Sequence, residues 1–568
     1  MAARRPRAKR PAAGRVDPIR AEVMARYLLA TSEEMAATLV RTAFSPNIKE
    51  RSDCSTAIFD GNGEVIALAH RIPIHLGSMV GAVDEIRKRF PGDQIRPGDM
   101  FMANDPYNGG GTHLPDISII APVFVDRRIV AYVANIAHHA DVGGMVPGSE
   151  ASVCTSIFQE GIRIPPVRIM SDGKVNRDVL DVVLLNSRTP DERIGDLNAQ
   201  FATNPVGVRG VQALFRRYGT AETEATIAAY LDFTERRFAA AVNRLPAGTY
   251  EAEDCIDGAT EGSVAKIRLK LKVGNGKLDF DFRGSDPQIA CGRNVPYRAL
   301  LATICTVAKC LLDPDVPANA GYYRAIKVTA TPGTVVYPCA PAAVGARAFA
   351  CAVVGDVVAA ALTQAMPAKA LAGSGPHGQV VTSGMDPRNG SYFVNYETIA
   401  GGMGARANRD GMDGVRVHAS GASNLPIEAL EHAYPLRIER YELWQDSAGV
   451  GMYRGGMGVL RDYRILGDDL FVSFSSERQH VAAGGMADGG AGKCGAFILN
   501  PDTPHEQRLP SASREIAVPR GSVLRICTPA GGGYGNARER DPRMTERDVR
   551  EGRLSPEDAL RIYNWREA

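Results

Sequence analysis

This chain reads as an α+β fold, a large mixed and multi-lobed unit. Its N-terminal region mixes helices and strands around a central hairpin; its C-terminal region is rich in β-structure and glycine. Three observations predict this. Up to about residue 246, apolar residues recur at helical spacing in some segments and fill short Ile- and Val-rich runs in others. One long apolar run, 117–137, holds the turn signal Asp126-Arg127-Arg128 near its middle, so it reads as two strands joined by a tight turn. After about residue 400, glycines cluster between strand-like segments. The 568 residues suffice for about three or four domains or one intertwined unit. The expected division is a disordered basic tail over 1–16, an α+β region over 17–246, a second, β-rich α+β region over 247–540 and a helical tail over 541–568.

Asp17-Pro18 supplies an N-cap and a first-turn proline, and Ile19, Val23, Tyr27, Leu28, Met35, Leu39 and Val40 then recur at roughly helical spacing until Ser45-Pro46. Strands at 56–59 and 65–68 flank the hairpin signal Asp60-Gly-Asn-Gly63. Pro73-Ile-His75 leads into a helix that runs to Phe90. Beyond the central hairpin, helices are expected over 178–185, from Arg193 onward and over 222–242. Two alternating strands meet at Gly274-Asn275-Gly276. Residues 297–312 and 346–366 read as buried helices, with a structured Pro-rich loop over 331–341 between them. The later glycine clusters read as tight turns in a β-rich region. No phosphate-binding glycine loop, no dinucleotide glycine fingerprint between strand and helix, and no nucleophile elbow is present. A nucleotide site made wholly by this chain and a serine hydrolase therefore have no support.

Hydrophobic residues make up 45% and charged residues 23%, as in an ordinary soluble globular protein. A net charge of +2 gives no global pull toward nucleic acid or membrane. Much of the basic excess lies in Arg4, Arg5, Arg7, Lys9, Arg10 and Arg15, a tail without the apolar core of a secretory signal. No uninterrupted apolar run reaches transmembrane length. The ten cysteines include no Cys-x-x-Cys pair, so buried free thiols in a reducing cytoplasm are expected.

Polar clusters flank the hairpin. Asn104-Asp-Pro-Tyr-Asn-Gly-Gly-Gly-Thr-His113-Leu-Pro-Asp116 precedes it, and His138-His139-Ala140-Asp141-Val-Gly-Gly144 follows. Folding the ribbon near Arg127 puts 116 opposite about 138 and 113 opposite about 141. His139 and Asp141 are two apart and point to one face of an extended chain. Together with His113 and Asp116 they form a candidate ligand set for Mn²⁺, Zn²⁺ or Fe²⁺. Either pair alone is more often an ordinary hydrogen-bonded pair, and the mirrored positions raise the metal reading to parity with that one. Gly109-Gly110-Gly111 either admits a ligand close to the backbone or is simply a turn. His75 is a candidate active-site group, set against the commoner core histidine, and Glu160 has no claim from spacing. Asp105 and His138 are orienting or proton-transfer candidates. Glu50 is a weaker one.

These clusters resemble the hydantoinase B/oxoprolinase family. Further matches run in family order: Glu50-Arg-x-Asp53-x-Ser55, Pro73-Ile-His75-Leu-Gly-Ser-Met79, Asp315-Val-Pro-Ala-Asn319, Asp446-Ser-x-Gly449 and Thr528-Pro-x-Gly-Gly-Gly-Tyr-Gly535. The third glycine before Thr112-His113 departs from the usual two. The resemblance implies a hetero-oligomer in which a hydantoinase A-like partner uses ATP to phosphorylate the substrate oxygen, and this chain completes the reaction. It also implies a manganese site, in the carboxylase relatives, on the residues that map to His113, Asp116, His139 and Asp141. Three functions stay open: a subunit of an ATP-dependent hydrolase that opens cyclic amides (hydantoin, 5-oxoproline or lactam), an α-type subunit of an acetone- or acetophenone-like carboxylase, and a scaffold for the ATPase.

Overall fold

The computed structural model describes residues 16–69 and 71–566, so the basic tail up to Arg15 lies outside the described residues. Helix α1 (Pro18–Thr42) starts where Asp17 accepts from the Ile19 N–H and buries Met24, Leu28, Met35 and Leu39. After the single turn α2 (Pro46–Lys49) come β1 (Cys54–Asp60), β2 (Val65–Leu68), α3 (His75–Arg89) and β3 (Met100–Ala103). The central hairpin is β4 (Asp116–Val125) and β5 (Arg128–His138), and β6 (Val167–Ser171) and β7 (Lys174–Val175) complete an antiparallel sheet ordered β2-β1-β5-β4-β3-β6-β7. The hairpin turns on Asp126 and Arg127, with φ of 49° and 62°. Two left-handed residues in a row match the right-handed twist of the flanking strands.

Helix α4 (Arg177–Leu185) leads to α5 (Pro190–Tyr218) and α6 (Thr220–Val242). Because side chains alternate along a strand, β4 and β5 have two different faces. Ile117, Ile119, Ala121 and Val133 pack with Met24, Met35, Leu197 and Phe201 from α1 and α5. Ile120, Ala134 and Ile136 pack with Met79, Val83 and Ile86 from α3. The sheet is thus covered on both sides, which explains its nearly unbroken apolar strands.

A second sheet contains β8 (Gly248–Asp257), β9 (Val264–Gly274), β10 (Lys277–Asp281) and, parallel to β10, β11 (Ile326–Thr329). Its apolar face joins α7 (Tyr297–Leu312) and α9 (Arg347–Gln364) in the largest core, with the single turn α8 (Ala320–Tyr323) alongside. Among the described residues α9 alone has the length and composition to cross a membrane; here its membrane-length window is 83% buried, and Asp356 interrupts it. Beyond it, β12 (Gly378–Met385) and β13 (Tyr392–Ile399) belong to a four-stranded sheet, and a five-stranded sheet shares their core. Asp541 and Ser555 cap the closing helices Pro542–Arg550 and Pro556–Tyr563. All ten cysteines are free.

The glycine clusters are not turns, which corrects the sequence reading. Among the glycines of the clusters at 401–404, 449–458, 484–490 and 531–535, only Gly535 has a positive φ. The one tight turn there, closed by Gly489 donating to the Met486 carbonyl at 3.0 Å, is made by Ala487 and Asp488. The segments instead run against one another, backbone on backbone: Gly456 donates to the Met403 carbonyl at 2.7 Å and Gly531 to the Gly456 carbonyl at 2.9 Å. A Cβ on Gly402 would sit 2.0 Å from the Gly456 oxygen, and one on Gly455 1.9 Å from the Gly531 oxygen. Glycine is needed there for the missing side chain rather than for its dihedral freedom.

Candidate functional site

Asp116 opens β4 and His138 closes β5, and the two are direct partners in the ladder. Residues opposite each other across an antiparallel pair share a face, so both stand on the α3 side. His75, the first residue of α3, places Nε2 3.5 Å from Asp116 Oδ1 and 3.6 Å from Asp53 Oδ1, with Nδ1 3.1 Å from Ser55 Oγ. His113 arrives from the loop before β4, with Nε2 3.0 Å from Asp116 Oδ1. Donor atoms of His113, Asp116 and His138 all lie within 4.8 Å of one another, and all three residues are buried.

Each member is held from outside. Arg347, the first residue of α9, donates to Asp116 Oδ2 at 2.8 Å and to Thr112 Oγ1 at 3.1 Å. Asn47 donates to the His138 carbonyl at 2.7 Å and lies 3.2 Å from His138 Nδ1. That leaves Nε2 to carry the proton toward Glu150 Oε2, 3.3 Å away. The Tyr396 hydroxyl donates to the same Glu150 oxygen at 2.8 Å, and its ring stacks on His138 at 4.5 Å. His113 Nδ1 is 3.0 Å from the Gly345 carbonyl, which can only accept, so Nδ1 holds the proton and Nε2 presents a lone pair. The Gly345 and Val344 N–H groups both donate to Glu160 Oε1, at 2.6 and 2.8 Å.

The electrostatics follow from burial and neighbours. Burial works against the Asp116 carboxylate, yet His113, His75 and Arg347 hold it well below the usual range. Burial and then Arg347 lower the His113 imidazole. Burial lowers His138 too, but the Glu150 hydrogen bond and the carboxylates of Asp53 and Asp116 leave it raised overall. His113 Nε2, Asp116 Oδ1 and Glu150 Oε1 are buried atoms with no hydrogen-bond partner. Two acceptors facing each other at 3.0 Å repel unless a cation or proton lies between them. His113 Nε2 and Asp116 Oδ1, joined by His138 Nε2 once it gives up the proton it holds toward Glu150, are a donor set that suits a borderline divalent cation.

The ligand set read from spacing does not converge. With 116 paired to 138, the next residue turns to the other face. His139 stands on the α5 side, its Nε2 2.9 Å from Gln200 Oε1, within a ladder that joins Gln200, Asn135 and Asn204. Asp141 has both oxygens occupied: Oδ1 accepts from the Gly143 and Arg188 N–H groups, and Oδ2 accepts from Gly148 and the Arg188 guanidinium. It pins the loop that returns Glu150 to the cluster. Asp105 accepts from the Tyr107 and Asn108 N–H groups and pairs with Arg163 at 2.5 Å, so it shapes its own loop. Glu50 is an exposed C-cap of α2. Of the candidates named from sequence, the structure brings together His113, Asp116, His138 and His75. The Gly109–Gly111 run approaches protein rather than a ligand, with a Cβ on Gly110 falling 2.0 Å from the Gly81 backbone.

Sequence reasoning missed Glu150, Arg347, Tyr396 and Asn47. Their signal is tertiary: Arg347 lies 231 residues from Asp116. A cavity of about 280 Å³ lined by Phe124, Asp126 and Phe215 lies at the turn end of the hairpin, away from the cluster.

The fold that positions this cluster recurs in known proteins. The profile of the hydantoinase B/oxoprolinase family matches residues 17–537, and the chain belongs to that family. The B-type subunit of a putative D-/L-hydantoinase from Pseudomonas sp. is 31% identical, covering 97% of this chain and 95% of the relative. A 5-oxoprolinase of Arabidopsis thaliana is 31% identical over 92% of this chain but only 42% of its own length. Among solved structures, an ATP-dependent caprolactamase from Pseudomonas jessenii superposes with a TM-score of 0.88 at 28% identity, covering 98% of this chain and 97% of the other. An acetone carboxylase also reaches 0.88, at 17% identity over 96% of this chain and 79% of the other, which shows a shared fold.

Proposed function

We propose that this chain is the hydrolytic subunit of an ATP-dependent amidohydrolase that opens a cyclic amide of the hydantoin, 5-oxoproline or lactam type. Its partner in this reading is a hydantoinase A-like ATPase subunit. The observation that carries the proposal is the buried pair of facing acceptors, His113 Nε2 and Asp116 Oδ1, with His138 within reach. The near full-length similarity to a caprolactamase and to a B-type hydantoinase subunit favours an amide substrate over a ketone.

An amide carbonyl is a poor electrophile because resonance stabilises it, and phosphorylation of its oxygen by the partner gives an imidate phosphate. Water adds to its carbon, the ring nitrogen departs to leave an acyl phosphate, and a second water releases phosphate and the open-chain acid. A divalent cation (Mn²⁺, Zn²⁺ or Fe²⁺) held by His113, Asp116 and His138 would supply Lewis acidity and a water of lowered pKa. The protein's own groups do the rest. Arg347 fixes the direction of Asp116, and the Gly345 carbonyl fixes the His113 tautomer. Glu150 and Tyr396 hold the His138 ring. His75 Nε2, between Asp53 and Asp116, is placed to take a proton from the attacking water and return it to the departing ring nitrogen.

The test is metal analysis of the purified chain, followed by assay of lactam and hydantoin opening with ATP and the ATPase partner. Stoichiometric metal and ATP-dependent ring opening are expected. A chain that takes up no divalent cation after reconstitution, or an assembly whose ATP turnover needs bicarbonate instead of a cyclic amide, would sink the proposal.

A further inference from the structure

Two guanidinium groups meet beside the cluster with no carboxylate among the described residues in ion-pair contact, Asp53 and Glu150 acting on Arg416 only through space. Arg51, just after α2, is completely buried. Its Nη1 donates to Asn47 Oδ1 at 2.6 Å and to the Tyr396 carbonyl at 3.2 Å, and its Nη2 donates to the Thr398 hydroxyl. Arg416, from the segment after β13, donates through Nη1 to that same hydroxyl and through Nε to Ser420 Oγ at 2.8 Å. Among the described residues neither guanidinium has an ion-pair partner. The other buried arginines do: Arg347 has Asp116, Arg461 has Glu397 at 2.8 Å, Arg478 has Asp254 at 2.6 Å and Arg540 has Asp410 at 2.7 Å.

The pair is unusual on physical grounds. Buried charges are ordinarily paired, because desolvation is costly when nothing offsets it. Here two like charges converge on one neutral hydroxyl. Burial and then Arg51 push the Arg416 guanidinium down to about 10. His377 supplies no opposite charge, since burial and then Arg416, Arg51 and Arg347 hold its imidazole well below the ordinary range. Arg416 is partly exposed while Arg51 is not, so the pair can be approached from the Arg416 side. The position is equally specific. Arg51 lies over the Tyr396 ring at 5.4 Å, and that ring stacks on His138. Asn47 bridges the Arg51 guanidinium to His138 Nδ1. One side chain thus separates the pair from the candidate metal cluster.

We propose that Arg51 and Arg416 form an oxyanion subsite that holds the phosphoryl group of the activated substrate beside the His113–Asp116–His138 cluster. Planar guanidinium forks match tetrahedral oxyanions in a way that an ammonium does not. The identification of the anion as phosphoryl rests on the function proposed above; the subsite itself rests on the unpaired arginines.

Calorimetric titration of the full chain with inorganic phosphate, beside acetate, tests it without the partner or ATP. One phosphate should bind, at least 10-fold tighter than acetate. Arg416→Met should weaken it at least 10-fold, and Arg416→Lys, which keeps the charge and loses the fork, should fall between. His113→Ala should lose its metal and keep its phosphate. The subsite is overturned if the wild type binds no phosphate, if acetate binds equally well, or if phosphate is lost in His113→Ala and kept in Arg416→Met, since it would then sit on the metal. Circular dichroism of each variant guards against unfolding, and Arg416→Lys decides if Arg416→Met does not fold. Failure of the amidohydrolase reading would look different: phosphate binding intact, with no ATP-dependent ring opening.

Discussion

His138 and His139 are neighbours in the chain, and the two faces of one sheet give them different work. On the α3 face, His138 stands with His113, Asp116 and Glu150, where lone pairs face each other unpartnered. On the α5 face, His139 is one rung of an amide ladder in which Gln200 also donates to the Ile117 carbonyl at 2.8 Å. Both imidazoles are buried, so burial does not separate them. Burial and then Arg193 push His139 down to about 4, which keeps it neutral. His138 is raised by its carboxylates. A buried histidine becomes a candidate ligand when its neighbours have unsatisfied acceptor atoms, and a structural one when those neighbours are satisfied, as Gln200, Asn135 and Asn204 are around His139 even though its own Nδ1 has no partner.

Breaking the α3 face should have the largest effect. His113→Ala and His138→Ala should each lose bound metal and lower activity by more than about 100-fold, beyond what an orienting partner usually contributes. Metal analysis and turnover in the reconstituted assembly measure both. Glu150→Gln comes next: it should keep the metal stoichiometry but lower activity about 10- to 100-fold by loosening the His138 ring. A variant with wild-type turnover would remove Glu150 from the site. On the other face, His139→Ala should keep metal and turnover and cost about 1–3 kcal/mol of stability, because Gln200 Oε1 is left buried without its partner. Urea melts would show it. If His139→Ala lost metal while His138→Ala kept it, the assignment of the two faces would be reversed.

The smallest effect sharpens the contrast through pH. Burial pushes the Glu160 carboxyl up to about 8, against the two backbone N–H groups that favour its charged form. The unfolded carboxyl ionises near its ordinary 4.5, so between those values the folded chain holds a proton that the unfolded chain has released. Stability therefore falls as pH rises through that window. Glu477, pushed up to about 8 by burial, contributes with the same sign. Glu160→Gln should flatten part of this slope in urea midpoints taken at several pH values. An unchanged slope would mean that Glu160 is ionised in the folded chain.

Local chemistry is readable from the chain itself. Asp17-Pro18 starts α1, the hairpin turns at Asp126 and Arg127, and the helix of 297–312 has the ends its apolar run implies. These follow from capping, turn dihedrals and periodicity, which involve residues a few positions apart. The site is half readable. His113, Asp116, His75 and His138 carry signals in their own segments. The hairpin's midpoint correctly pairs 116 with 138, but the spacing of His139 and Asp141 hides which face they take. The period of two makes one residue the difference between faces.

The glycine clusters show the other limit. A glycine in a turn and a glycine against a neighbouring backbone are the same letter, and only the approach of residues 456 and 531 to one another distinguishes them. By itself the sequence determined many of the elements, the family and the residue types available at the hairpin's open end, because those depend on short-range order and on motifs. The tertiary structure decided which histidine joins Asp116, that Glu150 and Arg347 complete the surroundings, and that Arg51 meets Arg416, because contacts between distant segments are set by register and packing.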